Sequence, residues 1–381
     1  MRVTIEKLVY GGAGLARTEQ GVVFVPRTAP GDVVEVDLVE RKADYAVARV
    51  TALLEPSADR QSPTCPNYDS AGCCHWQHIR YPRQLEIKEA ILRETIQRTG
   101  RISWDAPIPV LSGPELHYRL RASFHVHKRT LGFVEERSHR VVAIPECSAL
   151  SPELNAFIPQ GNEILAGQDM TEVREVHAIS GPPVLATFGR KRVGQGPARI
   201  NVKDCIFDLH PDAFFQTNRY LLAGFLDSVL NNATGATRVL DLFCGSGFFT
   251  VPLANVAGEV LGVESSRAGV KQARFNATLN QKANTRFFEG SVEEALKNSP
   301  DLRPDLIVMN PPRTGAGREV AGLAAGLGAE RVVYVSCNPS TFAREAPAII
   351  ARGYALESLT LVDQFPNTYH IEMVAVFRKV G

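Results

Sequence analysis

From about residue 206 onward, short apolar runs rich in β-branched side chains alternate with helical patterns. No other feature of the chain constrains its fold as much. The runs are Arg238 to Leu242, followed by a glycine loop to Gly247 and a helix from about Phe248; Glu259 to Glu264; Thr285 to Gly290; Pro304 to Met309; and Arg331 to Cys337. Two closing segments, about 356–363 and 370–379, read as an antiparallel hairpin. Alternating β and α units of this kind predict an α/β fold with a doubly wound parallel sheet. The fifth run, Arg331-Val-Val-Tyr-Val-Ser-Cys-Asn-Pro339, is apolar without alternation, as expected of a strand buried on both faces. Pro339 suits the first position of the next helix. Cys337 then lies at the carboxyl edge of the sheet, where open α/β sheets bind their ligands.

A chain of 381 residues exceeds one typical core, and three units are expected, at 1–56, 57–205 and 206–381. The first contains about six short strand-like segments with glycine turns, which suggests a small OB-like β-barrel. The second, a small α+β unit, holds Cys65, Cys73 and Cys74 within ten residues, with Cys147 as a candidate fourth thiolate. That grouping suggests a metal or cluster site. His75 and His78 read as structural hydrogen-bonding residues. A helix over 84–98 has Leu85, Leu92 and Ile96 on one side and Ile87 and Ile91 on the other, so packing between two layers is expected, with contact to the last unit. Tyr118 to His127 alternates strictly: Tyr118, Leu120, Ala122, Phe124 and Val126 point one way, and Arg119, Arg121, Ser123, His125 and His127 the other. A basic outer face without an acid favours phosphate contact.

Net charge is +1, so nucleic acid could be held only by such local patches. Seven unevenly spaced cysteines, no signal-peptide block and no long apolar run predict a cytoplasmic protein without a membrane span.

Gly245-Ser-Gly247 lacks the third glycine of a dinucleotide fingerprint. Asp241, the glycine loop at Gly245, Glu264 at the end of the second strand and Asn310-Pro-Pro-Arg313 at the end of the fourth point instead to S-adenosylmethionine and a methyltransferase. Glu372 opens the last strand within an apolar run, an expensive place for a carboxylate unless it is paired or used.

The first unit resembles the TRAM domain through Gly11 to Arg17, Val23 to Pro26 and Pro30-Gly-Asp32. Over nearly its whole length the chain resembles the RNA 5-methyluridine methyltransferases, most specifically in Phe214-Phe-Gln-Thr-Asn218, Asp241 to Gly247, Asn310 to Arg313, Ser336-Cys-Asn-Pro339 and His370-Ile-Glu372. The resemblance implies a class I methyltransferase sheet, Cys337 as the nucleophile and Glu372 as the base that removes the C5 proton. It also implies cofactor contacts at Gln216, Phe243, Gly245, Phe248, Glu264, Ser291 and Asn310. A [4Fe–4S] cluster on Cys65, Cys73, Cys74 and Cys147 follows from the same resemblance. Two departures stand out: the strand-four residue is Asn310 where the family usually has Asp, and the second cluster cysteine falls on Ala71.

A thiolate needs its pKa lowered from about 8.5, and the helix start at Pro339 is expected to do this for Cys337. The target base would be flipped out and stack on Phe214. The expected substrate is RNA, with 23S rRNA favoured by the TRAM-like start and tRNA uracil-54 as the alternative; a monomer is expected. A non-catalytic RNA-binding protein is the reading from another class.

Overall fold

The computed structural model describes residues 1–380 apart from 136–137, 168–169, 171, 182 and 300–301. The first strands are β1 (Arg2–Thr4), β2 (Lys7–Leu8), β3 (Gly14–Thr18), β4 (Gly21–Val25), β5 (Val33–Arg41) and β6 (Tyr45–Glu55). They form one sheet in the order β1-β5-β6-β4-β3-β2, and β1 also packs on β3, curling the sheet upon itself. Val3, Ile5, Val23, Val25, Val34 and Val36 fill its interior.

Helix α1 (Tyr81–Gly100) follows. It corrects the expectation of two apolar sides. Its fully buried residues are Gln84, Ile87, Lys88, Ile91, Leu92, Ile96 and Gly100, which make a single stripe at the three- and four-residue spacing of one helix face. Two polar residues stand in that stripe, so its continuity cannot be seen from hydrophobicity. The stripe packs on helix α8 (Pro339–Ile350) of the last unit.

Strand β7 (Val110–Leu111) precedes a second antiparallel sheet. This is built from β8 (Arg121–His127), β9 (Thr130–Val134), β10 (Val141–Ala143), β11 (Glu175–Ile179), β12 (Leu185–Phe188) and β13 (Lys191–Val193), in the order β10-β9-β8-β11-β12-β13. Helix α2 (Pro152–Ala166) covers it. Leu120, Ala122 and Phe124 are buried, as the alternation requires. The hairpin of β14 (Ala198–Val202) and β15 (Cys205–Leu209) packs on helix α5 (Arg267–Leu279) of the final unit.

The last unit contains α3 (Leu222–Leu230), β16 (Arg238–Leu242), α4 (Thr250–Leu253), β17 (Glu259–Glu264), α5, β18 (Thr285–Glu289), α6 (Val292–Asn298) and β19 (Leu306–Met309). It continues through α7 (Arg318–Gly326), β20 (Arg331–Ser336), α8, β21 (Tyr354–Val362) and β22 (Glu372–Lys379). The eight-stranded order is β18-β17-β16-β19-β20-β22-β21-β7. Strands β18 to β20 run parallel; β22 is antiparallel to both neighbours, and β7 adds an edge strand beside β21. This is the class I methyltransferase arrangement predicted. Strand order reverses between β16 and β19, which opens a crevice above their carboxyl ends.

Candidate active site

Strand β20 ends at Ser336 and α8 starts at Pro339, so Cys337 occupies the turn between them. Asn338 caps α8, its Oδ1 accepting from Ser340 N at 3.0 Å and Thr341 N at 3.4 Å. Its amide also donates to Arg313 O at 3.2 Å, which ties this turn to the Asn310–Arg313 loop. Glu345 of α8 accepts from Ala316 N and Gly317 N at 3.1 and 2.9 Å and holds the far end of that loop. At Gly315 (φ +90°) a Cβ would lie 2.0 Å from Glu345 Oε1, so only glycine fits.

The β20–β22 ladder pairs Ser336 with Met373. Beyond that pair β20 gives way to the turn, where the Cys337 thiol lies within reach of the Glu372 charge. Glu372 is buried, and burial pushes its pKa up to about 8. The Cys337 thiol is pushed up to about 11, by burial first and then by the Glu372 charge, while Arg313 pulls it down. The thiol therefore moves opposite to the direction expected from the helix start, with desolvation by burial the largest cause, and Asn338 already caps α8.

A cavity of about 300 Å³ opens over Cys337, lined further by Gly72, Cys73, His75, Arg119, Arg313 and His370, with Tyr118, Phe365 and Thr368. The loop 363–371 forms one wall and is held from several directions. Lys88 Nζ meets Asp363 Oδ1 at 2.5 Å with both side chains fully buried, and Tyr81 donates to Asp363 Oδ2 at 2.7 Å. Gln84 and Asn367 exchange two hydrogen bonds, at 2.9 and 3.0 Å. These partners explain the two polar residues in the α1 stripe. Tyr10 and Trp76 bring the first sheet to the same wall: Tyr10 meets Tyr369 edge-on at 6.3 Å, and Trp76 Nε1 donates to Gly12 O at 3.2 Å. His75, Tyr369 and His370 meet in succession as tilted ring pairs at 4.5 Å between centroids, and burial drives His370 down to about 3. The motif around His370 was visible in the sequence; the arrival of His75, Tyr10 and Arg119 at this wall depends on contacts between distant segments.

On the cofactor side, the chain turns sharply after β16. Phe243 takes φ +63°, rare for a bulky side chain, and Gly245 and Gly247 follow at +54° and +84°. Glu264 Oε2 accepts from Gly245 N at 3.0 Å and its Oε1 from Ser266 N at 2.7 Å. Asp241 is fully buried; burial raises it to about 7, and its Oδ1 has no partner among the described residues. An orphaned carboxylate oxygen beneath a glycine loop, with a second carboxylate at the next strand end, suits a ligand with an amine and ribose hydroxyls, and S-adenosylmethionine fits this donor set. Gln216 is buried beside this edge, and Asn310 follows β19 with its backbone N–H donated to Leu242 O at 3.1 Å. Ser291 is exposed and caps α6 through Glu294 N at 3.1 Å.

The Phe248 ring is buried among Phe207, Phe215, Phe225 and Phe249 at 5.0–6.1 Å, behind the glycine loop. Phe214, by contrast, is 59% exposed, its ring beneath Arg121 at 5.8 Å. The basic face of β8 is also less open than its sequence implies. Arg121 donates to Pro211 O at 3.1 Å, and β11 brings Glu175 to within 3.6 Å of His125.

Cys65, Cys73 and Cys74 pack together, with Cys147 close to the Cys73 thiol. The four thiols converge, yet among the described residues no group of three metal-ligating side chains is arranged to hold a metal. The cluster expectation gains no support from this arrangement: Ala71 leaves the usual second position without sulfur, and adjacent Cys73 and Cys74 share one short turn of chain. His78 is structural as expected, 2.5 Å from Tyr68 Oη and lowered to about 4 by burial. No helix among the described residues is long and apolar enough to cross a membrane.

Comparison with known proteins agrees with this geometry. The family described as tRNA (Uracil-5-)-methyltransferase matches residues 190–380, and a tRNA (uracil(54)-C(5))-methyltransferase TRAM domain matches residues 1–58. A 23S rRNA (uracil(1939)-C(5))-methyltransferase of Vibrio parahaemolyticus is 32% identical over 99% of this chain and 95% of its own. An RNA methyltransferase of Aquifex aeolicus is also 32% identical, over 99% of this chain and 98% of its own. The structure of Pyrococcus abyssi tRNA (uracil-54, C5)-methyltransferase with S-adenosyl-L-homocysteine has the same fold, with a TM-score of 0.75 at 24% identity, covering 99% of this chain and all of that one.

Proposed function

Because this chain belongs to the family of RNA uracil-C5 methyltransferases, we propose that it methylates C5 of a uridine in 23S rRNA, with Cys337 as nucleophile and Glu372 as base. The observation that carries the reading is that the Cys337 thiol lies within reach of the charge of the buried Glu372 and lines a cavity open to a flipped base. Uracil C5 is a weak carbon nucleophile. Addition of the Cys337 sulfur to C6 shifts the C5–C6 electron pair toward C5 and O4, splitting one hard step into easier ones. S-adenosylmethionine, when bound, supplies the electrophilic methyl group. After transfer, C5 still carries its proton. Glu372 takes that proton, the electron pair re-forms the C5–C6 double bond, and the Cys337 sulfur departs. A carboxylate raised to about 8 is a stronger base than an exposed one, which suits this task.

Gln216, Phe243, Gly245, Glu264, Ser291 and Asn310 are the proposed cofactor contacts, with Phe248 supporting the loop from behind. Asn310 keeps an oxygen able to accept uracil N3–H without carrying charge. We divide the chain at 1–56, 57–205 and 206–381, with the β14–β15 hairpin sharing the core of the last unit. The enzyme is taken to be a cytoplasmic monomer. A [4Fe–4S] cluster on the four thiols rests on the family resemblance alone; iron and sulfide assay of anaerobically purified protein decides it, and no step above depends on it.

The test is release of tritium from 5-³H-uridine RNA together with mass-spectrometric mapping of the modified uridine. Wild type should release tritium and Cys337→Ala should not. Undiminished release by the variant rejects the covalent route. Modification of tRNA rather than 23S rRNA would favour the alternative suggested by the tRNA family descriptions. Binding of RNA without any methyl incorporation would leave only the non-catalytic reading.

A further inference from the structure

Arg119 lies just before β8 and its backbone is fixed on both sides. Its N–H donates to Ala149 O at 2.9 Å, and its carbonyl accepts from Ser151 N at 3.0 Å. The side chain lines the cavity over Cys337. Its Nε is buried without a hydrogen-bond partner, and among the described residues no carboxylate pairs with the guanidinium. Its neighbours in the basic run are committed elsewhere: Arg121 to Pro211 and Phe214, and His125 to Glu175. The second guanidinium in the cavity, Arg313, contacts His370 Nδ1 at 3.3 Å, with the Tyr10 and Tyr369 side chains beside it. Two fixed cations thus face one cavity of about 300 Å³, with no carboxylate paired to either among the described residues.

A half-buried guanidinium is costly to leave unmatched, and its planar fork fits a phosphate through two parallel N–H donors. A flipped nucleotide carries a phosphate wherever it carries a base. We propose that Arg119 clamps a backbone phosphate of the flipped target nucleotide and so sets the depth at which its base meets Cys337. Arg119 is a positioning residue here: it touches the substrate's backbone and not the reacting carbons. The assignment rests on the reading of this protein as an RNA methyltransferase. The carboxylate of the cofactor is the competing anion, because the segment Gln216–Asn218 runs beside Arg119 through a bridge at Asn218.

The experiment measures binding of a target-site RNA to the full chain, saturated with S-adenosylhomocysteine, across a salt series. Wild type, Arg119→Gln and Arg119→Lys are compared, with S-adenosylhomocysteine affinity measured by calorimetry. Arg119→Gln should weaken RNA binding about tenfold and reduce the slope of log K against log salt by about 0.7–0.9, the value of one phosphate contact. Arg119→Lys keeps the charge and should keep the slope. A slope unchanged in Arg119→Gln overturns the proposal however much affinity is lost, since packing alone does not release counterions. Loss of S-adenosylhomocysteine affinity with RNA binding intact overturns it in favour of the cofactor carboxylate. Wild type that binds no RNA overturns both this proposal and the function it rests on, whereas a failure confined to the variants overturns this one alone.

Discussion

Replacing Glu372 by glutamine keeps the shape of the side chain and removes its titration. In the folded protein the carboxyl is raised from an ordinary 4.5 to about 8 by burial. Between those values the native state holds a proton that the unfolded chain has released. The unfolded state then binds fewer protons, so wild-type stability falls as pH rises through this window. Each unit is worth about 1.4 kcal/mol. Between pH 5 and pH 7 the wild type should therefore lose about 3 kcal/mol that Glu372→Gln does not lose, and the gap should stop widening near pH 8. The pH-independent cost of burying an amide cancels in that difference. Urea unfolding of both proteins at pH 5, 6, 7 and 8, extrapolated linearly, measures it. A stability difference that stays flat across the series would refute the argument that Glu372 is protonated in the resting protein. The same titration bears on chemistry. Only roughly a tenth of the carboxyl is ionised at pH 7, so removal of the C5 proton, read as tritium release in a single turnover, should climb toward pH 8. Glu372→Gln should stall after methyl transfer as an RNA–protein adduct that survives denaturing electrophoresis.

Three further outcomes are expected. Because the Cys337 thiol is pushed up to about 11, its alkylation by iodoacetamide in the free protein should rise about tenfold per pH unit from 7 to 9; a plateau in that range would contradict the shift. Lys88→Met strands the buried Asp363 carboxylate and should cost about 3–5 kcal/mol in urea unfolding, most of it recovered when Asp363→Leu is added; a double variant no better than the single would show that packing, not charge, governs the pair. Phe248→Ala should cost about 3–5 kcal/mol of stability while the folded variant keeps its S-adenosylhomocysteine affinity by calorimetry; a selective loss of that affinity would return the ring to the cofactor face.

What could be read in advance was what neighbouring residues decide. The five parallel strands follow from apolar runs closed by glycine, asparagine and proline, and the start of α8 follows from Asn338 and Pro339. The position of Cys337 at the carboxyl edge needs nothing further. The readings that failed depended on distant partners. Lys88 and Gln84 look like breaks in the apolar stripe of α1 until Asp363 and Asn367 arrive from the far end of the chain. The β8 face looks free of acids until β11 brings Glu175 beside it. The sign of the Cys337 shift was missed because a helix start is local and readable, whereas burial is collective. The second sheet was seen through a single strand, since its remaining strands are short and carry weak alternation.

The ion pair between Lys88 and Asp363 spans 275 positions of sequence. A ribosome adding about 5–20 residues per second delivers the two partners roughly 15–50 s apart. During that interval α1 exists with an ammonium in the middle of its greasy side and no acid to neutralise it. The wall above Cys337 cannot take shape until the tail of the chain has left the exit tunnel and threaded back to the helix. Competence for methyl transfer thus waits on the segment that carries Asp363, and a product truncated before it would be inert and a natural client for chaperones.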